Sequence, residues 1–310
     1  MQKRLLVFTN SALGDNIYTF PILDEFLQKG NKLLVFTTQK AIYWPYKGKI
    51  TILDRNKPVI RWLVKFVLQQ FIPTIKLGYQ PNESILQGYY RSSNLPLPKQ
   101  LSYPHLQVKP ADKTKFMYLK GAVLLNINSV KNIPHRGVYG IDWPLVVDFL
   151  KSQGLEVYEV GLNATLPNCK LVPTQGANEL IAAISQASLF IGLDSGPAHI
   201  AACFSIPSLV FMGPVIPERR HILQQFNGVL LQNPCEFSGC FHNTQSPTGQ
   251  PCQLTDAQGK HVCCTFSTQQ INVVLTQIIQ TYKVKTNIIK SPKPKTPYPH
   301  IPDKNEIKAQ

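Results

Sequence analysis

Two short turns, far apart in the chain, each bring an aspartate next to small residues where a strand is expected to pass into a helix. The first turn is residues 11–15, SALGD, and the second is residues 194–199, DSGPAH. Asp15 closes the first turn. A carboxylate at such a position can act as a general base toward a bound hydroxyl group. The ordinary structural alternative is a helix-start carboxylate that interacts favourably with the helix dipole.

The second turn has the features of an anion site. Asp194 is in the N-cap position and Pro197 falls in the first helical turn, an order typical of a helix start. The unpaired N–H groups around Ser195 and Gly196 would lie at the carboxyl end of a parallel sheet, where such folds bind anions. His199 lies within the same turn. The structural alternative is an ordinary Asp-capped crossover with a surface histidine.

The elements around these turns predict an α/β protein with parallel sheets, because apolar strand-like runs alternate with helical periodicity. The expected strands are residues 4–9, 32–37, 50–53, 121–127, 155–160, 189–193 and 208–212. The expected helices are residues 16–28, a short one near 40–45, 58–71, 144–153, 177–187 and 268–283. Residues 73–115 have little pattern.

The helix predicted over residues 58–71 is amphipathic. Its periodicity places six apolar side chains on one inner face and leaves Arg61 and Lys65 on the other side. The six inner positions are Ile60, Leu63, Val64, Val67, Leu68 and Phe71.

Composition and charge limit the classes of function. The chain has 310 residues, 44% of them hydrophobic, and no run of 18 apolar residues, so no transmembrane helix is expected. The N-terminus leads directly into a strand and has no signal-peptide pattern, which favours the cytoplasm.

The net charge of +15 is unevenly distributed, with +11 in residues 1–118, +1 in residues 119–288 and +3 in residues 289–310. A basic first half predicts an anionic partner. Because no helix-turn-helix, RRM or zinc-finger pattern is present, we expect no nucleic acid. An anionic glycan or an anionic membrane surface fits the same charge.

Five of the seven cysteines crowd into residues 235–264 with the spacing C-x4-C-x11-C-x10-C-C. In a cytosolic protein such a cluster suggests a structural metal, although the spacing differs from a zinc knuckle. Disulfides and uncoordinated thiols remain open alternatives. The candidate ligands are Cys235, Cys240, Cys252 and Cys263.

The two turns, in this order and spacing, resemble glycosyltransferase family 9, the ADP-heptose:lipopolysaccharide heptosyltransferase family. The resemblance is carried by Ser11, Gly14 and Asp15 in the first turn and by the DSGPAH turn at 194–199. It extends to the FMGP loop at 211–214, which contains Gly213, and to the helix-like stretch 178–184. One position departs from the family. The lysine that usually precedes the Trp-Pro pair, here residues 143–144, is replaced by Ile141.

The resemblance implies a GT-B architecture, with two Rossmann-like lobes that face a central cleft. It divides the chain into an acceptor-side domain at 1–118 and a nucleotide-sugar domain at 119–288, which has a Cys-rich insertion at about 233–265. A Pro- and Lys-rich tail at 289–310 follows, for which we expect disorder. In proteins of this kind the last helix often packs back against the first domain.

The resemblance also implies the chemistry. An inverting glycosyltransferase would move heptose or a similar sugar from a nucleotide-diphosphate sugar to an anionic cell-surface glycan, such as a lipopolysaccharide core precursor. It would require no cofactor and no catalytic metal. The enzyme would work in the cytoplasm, in possible peripheral contact with an anionic membrane at its inner face.

The implied base is Asp15, held in its turn by Ser11 and Gly14. The residues expected to bind the donor are Ser129, Lys131, Arg136, Asp194, Ser195, Gly196, His199 and Gly213. Arg219 and Arg220 could touch phosphate or ribose, or could be surface charge. Because Ile141 replaces the lysine, a non-catalytic nucleotide-sugar binder stays open, as does a nucleotide-sugar epimerase or hydrolase on the same fold.

Overall fold

The computed structural model describes residues 3–128, 137–163, 165–237, 239–243, 252 and 254–284. Its strands form two parallel sheets. The first has the order β3-β2-β1-β4, built from β1 (Arg4–Phe8), β2 (Lys32–Thr37), β3 (Ile50–Asp54) and β4 (Thr74–Lys76). The second has the order β10-β9-β8-β5-β6-β7, built from β5 (Val123–Asn126), β6 (Val157–Val160), β7 (Lys170–Val172), β8 (Leu189–Leu193), β9 (Ser208–Phe211) and β10 (Gly228–Leu231).

Helices connect the strands, as parallel pairing requires. In the first half of the chain they are α1 (Leu13–Ile17), α2 (Phe20–Gln28), α3 (Pro58–Leu63), α4 (Gln69–Phe71), α5 (Ile85–Ser92) and α6 (Pro110–Lys115), with 3₁₀ turns at Lys40–Tyr46 and Met117–Leu119. In the second half they are α7 (Trp143–Ser152), α8 (Ala177–Ser185), α9 (Gly196–Cys203), α10 (Pro217–Arg220), α11 (Cys240–Asn243) and α12 (Thr268–Tyr282), with 3₁₀ turns at Leu223–Gln225 and Val262–Cys264.

The predicted α/β class with parallel sheets is confirmed. The strongest apolar runs form the central strands, and β8 is buried along its whole length. The strands missed by the sequence reading, β4, β7 and β10, are short and lie at or next to sheet edges, where few apolar residues are needed. Helix α5 lies in the stretch that showed little pattern.

The helix expected over residues 16–28 is two helices. It begins earlier, at Leu13, and breaks at Tyr18 and Thr19 before α2 begins. Pro21, near the start of α2, has no N–H to donate to the preceding turn, so the break falls where proline is tolerated.

The segment 58–71 is helical throughout, but one side chain predicted on the inner face lies on the outer face. A π turn over Val64–Leu68 separates α3 from α4. The residue that such a turn inserts shifts the helical phase of everything after it. As a result Phe71, predicted on the inner face, is 78% exposed, while Val64 is buried against Leu6, Phe36 and Leu53.

The last helix packs on the second sheet, whereas the resemblance implied packing against the first domain. Ile271, Leu275 and Ile278 of α12 are buried in the cluster that also contains Leu209 and Phe211 of β9. The apolar face of this helix therefore completes the second sheet's own core.

The two sheets share a continuous apolar core. Val7 and Ile17, from the first lobe, belong to the same buried cluster as Ala198 and Met212, from the second. The carboxyl ends of β1 and β8 are thereby held close together. Among the described residues, no helix combines the length and hydrophobicity that crossing a bilayer requires.

Candidate active site

The first corner of the site is the turn between β1 and α1, and a buried asparagine holds it. The Asn16 amide nitrogen donates to the carbonyl oxygens of Asn10 and Ala12, at 2.6 and 2.7 Å. Its amide oxygen accepts from the hydroxyls of Thr37 and Tyr43, at 2.8 and 2.9 Å. The backbone of the turn is thus fixed to β2 and the following 3₁₀ turn. The next residue towards the N-terminus, Asp15, has a side chain that remains 15% exposed.

The second corner is the turn between β8 and α9, and it differs from the prediction in one respect. The N-cap residue of α9 is Ser195, with extended backbone angles, not Asp194. The Asp194 carboxylate is therefore not a cap. It is buried, and its Oδ1 atom lies 3.7 Å from Nε2 of both His199 and His221.

The two corners touch each other. A Cβ atom placed on Gly14 would lie 2.5 Å from Cδ2 of His199, and one placed on Gly196 would lie 3.1 Å from Cβ of Leu13. Since real Cβ contacts are longer than 2.5 Å, only glycine fits at position 14 without movement. The glycines of both turns therefore permit the N-termini of α1 and α9 to meet.

Arg220, at the end of α10, links the carboxylates of the two corners. Its Nη1 atom lies 4.0 Å from Oδ1 of Asp15, and its Nε atom lies 4.0 Å from Oδ2 of Asp194. Nη1 also donates to the Tyr79 hydroxyl at 2.8 Å. The guanidinium is buried, with its carbon 5.3 Å from the Tyr79 ring centre and 5.1 Å from that of Phe241. One cation therefore neutralises charge from both lobes.

The rest of the segment around Arg220 also docks on the first lobe. Arg219 donates to the carbonyl oxygen of Pro81. The backbone N–H of Ile222 donates to the Tyr103 hydroxyl at 2.9 Å, and the Gln225 amide donates to the carbonyl oxygen of Leu101 at 2.9 Å. The cleft is closed along this side.

Two stacked histidines lie beneath Asp194. The rings of His199 and His221 are 4.8 Å apart and nearly parallel. The Tyr18 hydroxyl donates its single proton to the carbonyl oxygen of Arg220 at 3.0 Å, so at its 3.2 Å contact with His199 it accepts from Nδ1–H. The Tyr18 contact fixes the orientation of the His199 ring, whose Nε2 lies 3.7 Å from Oδ1 of Asp194.

Tyr18, Tyr79 and Arg220 stay in fixed charge states. Burial raises the pKa of Tyr18 well above its usual range. Burial, followed by the nearby Asp15 carboxylate, also raises the pKa of Tyr79. Burial opposes the charge of Arg220, yet Asp194, Tyr79 and Asp15 together raise its pKa. Both tyrosines therefore act as neutral hydroxyls beside a permanently charged guanidinium.

The predicted site residues divide into three groups. Asp15, Gly14, Asp194, Gly196 and His199 are brought together as described, with Ser195 beside them at the start of α9.

The second group, Ser11 and Gly213, is described by its backbone rather than by a side-chain contact in the site. Ser11 is exposed and its carbonyl oxygen accepts from Thr38 and Gln39. Gly213 follows β9 with a φ of +55°, a conformation that favours glycine. The third group, Ser129, Lys131 and Arg136, lies outside the described residues. Ile141 packs against the apolar core of the second sheet.

The sequence left open whether Arg220 binds the donor or is a surface charge. It did not indicate a role for His221, Tyr79 or Tyr18. The stretch 217–221, PERRH, follows the loop after β9 and carried a usable signal, since consecutive basic residues close to a strand end of the sheet are candidates for an anion site. Nothing in the sequence distinguished the buried arginine from its neighbour.

The cysteine cluster is a separate feature. Within the described part of the chain, which includes all seven cysteines, no disulfide is formed. Burial, then the neighbouring thiols of Cys263, Cys252 and Cys235, raise the pKa of Cys240. Cys263 and Cys264 are buried with their sulfurs 3.7 Å apart. The four candidate thiols thus share one neighbourhood, and Phe241, which follows Cys240, packs on Arg220. Among the described residues, the four thiols are not within the 4.8 Å of one another at which donor atoms of Asp194, His199 and His221 lie.

Comparison with known proteins gives the class of this fold. The glycosyltransferase TibC from enterotoxigenic E. coli H10407, described as iron-containing and dodecameric, aligns over 90% of this chain and 76% of its own, with 19% identity and a TM-score of 0.64. A family 9 glycosyltransferase from Veillonella parvula DSM 2008 aligns over 91% and 98%, with 14% identity and a TM-score of 0.66. E. coli ADP-heptose lps heptosyltransferase II aligns over 91% and 100%, with 12% identity and a TM-score of 0.61. The fold is GT-B, as the resemblance implied.

The family comparison is more specific. The model of glycosyltransferase family 9 (heptosyltransferase) matches residues 152–248, a segment that includes the second corner, Gly213 and Arg220. No curated protein matches this chain in sequence. The chain has the GT-B fold, and the resemblance to family 9 is confirmed over residues 152–248.

We expect Asn16→Ala to destabilise the protein by about 3 kcal/mol, because it leaves buried hydroxyl and carbonyl groups without partners. Urea unfolding followed by circular dichroism measures this change. Thr38→Ala is the matched control, since it removes one exposed hydrogen bond to the same turn and should cost less than about 0.5 kcal/mol. Equal effects of the two substitutions would contradict a special role for Asn16.

Proposed function

We propose that this protein is an inverting glycosyltransferase that moves heptose or a similar sugar from a nucleotide-diphosphate sugar to a hydroxyl group of an anionic cell-surface glycan, such as a lipopolysaccharide core precursor. One observation carries the proposal. Asp15 at the corner of one lobe lies across from the start of α9 and Asp194 in the other lobe, with the Arg220 guanidinium 4.0 Å from each carboxylate.

In the proposed reaction the oxygen of the acceptor hydroxyl attacks the anomeric carbon of the donor sugar, and Asp15 accepts the proton of that hydroxyl. The bond from that carbon to the diphosphate oxygen breaks on the opposite face, which inverts the configuration. Asp15 suits this role because its side chain is partly exposed while the groups around it are buried. A base sealed in the core would not reach a substrate.

Negative charge builds on the leaving diphosphate and has to be stabilised. The first N–H groups of α9, at Ser195 and Gly196, and the Arg220 guanidinium supply donors and positive charge at one place. Ser129, Lys131, Arg136 and the backbone at Gly213 are proposed further donor contacts. Lys131 or Arg136 would take over the role of the lysine that Ile141 replaces.

Asp194 would contact sugar hydroxyl groups, since a carboxylate and a phosphate repel each other. The stacked histidines support this assignment. Tyr18 contacts Nδ1 of His199 and so fixes the ring whose Nε2 lies 3.7 Å from the Asp194 carboxylate. The closed side formed by the segment around Arg220 would help exclude water, which would otherwise hydrolyse the donor.

The acceptor class rests on charge and on relatives. The first 118 residues carry a net charge of +11, which would attract a phosphorylated or carboxylated glycan. E. coli heptosyltransferase II acts in lipopolysaccharide synthesis by its name, and TibC has been crystallised with ADP-D-beta-D-heptose. A cytoplasmic enzyme at the inner face of the membrane would meet such a precursor.

We propose that the transfer itself uses no metal. Asp194, His199 and His221 place donor atoms within 4.8 Å of one another, a spacing that a metal ion could bridge. The Arg220 guanidinium, whose Nε lies 4.0 Å from Oδ2 of the same carboxylate, argues against a dication there, because the two positive charges would repel each other. A structural metal is proposed instead at Cys235, Cys240, Cys252 and Cys263, whose thiols would have to move closer together to share one ion. Disulfides and uncoordinated thiols stay the alternatives; TibC, a structural neighbour, is iron-containing.

We expect Asp15→Asn to lower the turnover number by about 10²–10⁴-fold, because the amide cannot accept the proton. Donor affinity should be retained, which a thermal-shift titration with nucleotide-diphosphate sugars measures. Asp112→Asn is the matched control, since Asp112 also lies in the first turn of a helix and should be dispensable.

Three results would contradict this assignment. A transfer rate of the Asp15→Asn variant within threefold of the wild-type rate would show that Asp15 is not the base. Turnover of the donor without any acceptor would favour an epimerase or hydrolase, and donor binding without transfer to any acceptor would favour a non-catalytic binder.

We expect the purified chain to hold one metal ion per molecule, measured by inductively coupled plasma mass spectrometry. The double substitution Cys252→Ser with Cys263→Ser should release it, while Cys169→Ser, outside the cluster, should not. Sugar transfer should continue in the presence of a chelator that leaves the cysteine site loaded. Loss of metal from the Cys169 variant alone, or transfer that stops at once in chelator, would contradict the assignment.

A further inference from the structure

The helical segment 58–71 of the first lobe has an outer apolar stripe without a partner among the described residues. The stripe consists of Val59, Trp62, Phe66 and Phe71, which are 74%, 58%, 50% and 78% exposed. Single exposed apolar residues are common on soluble proteins, but four large ones along one helical segment form a contiguous face.

The π turn aligns this stripe. Residues 59, 62 and 66 follow the three- and four-residue spacing of one helix face, and position 70 would continue it. The residue inserted by the π turn over Val64–Leu68 moves Phe71 to that place. The Trp62 and Phe66 rings are 5.9 Å apart. A regular α-helix would instead have buried Phe71 with the inner side chains.

The charged residues in the stretch that carries the stripe are all of one sign. From Arg55 to Lys76 the sequence has five basic residues and no acidic residue. Arg61 and Lys65, on the helix itself, are exposed, and the Lys65 ammonium lies 5.1 Å from the Phe66 ring centre. The stretch therefore combines a tryptophan, two phenylalanines and a valine with five basic side chains.

This combination fits the surface of an anionic lipid bilayer. Tryptophan and phenylalanine insert at the boundary between headgroups and acyl chains, and lysine and arginine contact anionic headgroups beside them. A protein partner would need an equally one-sided acidic rim around an apolar centre. The complete absence of acidic residues from this stretch favours the lipid surface.

The position of the segment leaves the candidate active site open. It crosses from β3 at one edge of the first sheet to β4 at the other and packs on Leu6, Phe36 and Leu53. Val7 points to the opposite face of the same sheet, into the core shared with the second lobe. Docking through the outer stripe would therefore not cover the turn that carries Asp15.

We propose that residues 58–71 are a membrane-docking surface, in which the outer stripe enters the interface of an anionic bilayer and Arg61 and Lys65 contact its headgroups. The inference rests on the proposed function for its purpose, because a glycan acceptor carried on a lipid would be presented at this surface. The binding itself requires neither donor nor acceptor.

The experiment is co-sedimentation of the full chain with phosphatidylcholine vesicles, with or without phosphatidylglycerol. We expect binding only to the anionic vesicles, with a blue shift of tryptophan emission. Trp62→Ser with Phe66→Ser should weaken binding about tenfold or more, because the inserted apolar area is lost. Arg61→Gln with Lys65→Gln should weaken it by about fivefold for each cation removed.

Matched controls lie elsewhere on the surface. Leu145→Ser with Leu162→Ser removes two exposed leucines of the second lobe, and Lys99→Gln with Lys113→Gln removes two exposed cations of the first. Both should bind vesicles as the wild type does. Circular dichroism and transfer to a water-soluble acceptor fragment should be unchanged in the stripe variant, which separates docking from folding and from catalysis.

The outcomes are distinct. Equal binding by wild type and the stripe variant overturns the proposal, as does absence of binding to anionic vesicles. A wild-type dimer that the stripe variant dissociates also overturns it and assigns the face to a second copy of the chain. Vesicle binding without sugar transfer would refute the proposed function and leave the docking surface standing.

Discussion

A buried cation lies between two carboxylates that belong to different lobes, and much of the site depends on it. Taking a guanidinium out of water costs several kcal/mol unless opposite charges and hydrogen-bond acceptors surround it. Arg220 has Asp15 on one side, Asp194 on the other and the Tyr79 hydroxyl at 2.8 Å. Because the two carboxylates come from separate sheets, satisfying this charge requires the lobes to be together. The same requirement places the proposed base opposite the proposed donor site.

The surrounding fold meets that requirement with small residues and fixed turns. Gly14 and Gly196 allow two helix N-termini to come into contact, which any larger side chain at position 14 would prevent. Asn16 fixes one turn through four hydrogen bonds, and Tyr18 reaches from α1's end to His199 and to the carbonyl oxygen of Arg220. Side chains that do no chemistry thus determine where Asp15 and Asp194 point.

The outer surface of the first lobe follows a different physical rule. The inner side of the helical segment 58–71 packs on Leu6 and Phe36. Its outer side exposes aromatic side chains in a stretch that has basic and no acidic residues. A one-residue insertion in the helix, at the π turn, decides on which of these sides Phe71 lies. The local backbone geometry therefore determines whether Phe71 is exposed on the outer side or buried in the core.

The sequence by itself determined the α/β class, most of the strand and helix positions, and the two turns, because apolar period and turn residues act over a few neighbouring positions. It also predicted, through the resemblance to family 9, that Asp15 and the 194–199 turn belong to one site. Only the tertiary structure decided that Asp194 faces two histidines and does not cap its helix, that Arg220 and not Arg219 is buried, and that Phe71 turns outward. Each of these depends on the free energy of charges and rings brought together from distant parts of the chain, or on a phase shift inside a helix, and neither leaves a periodic signal in the sequence.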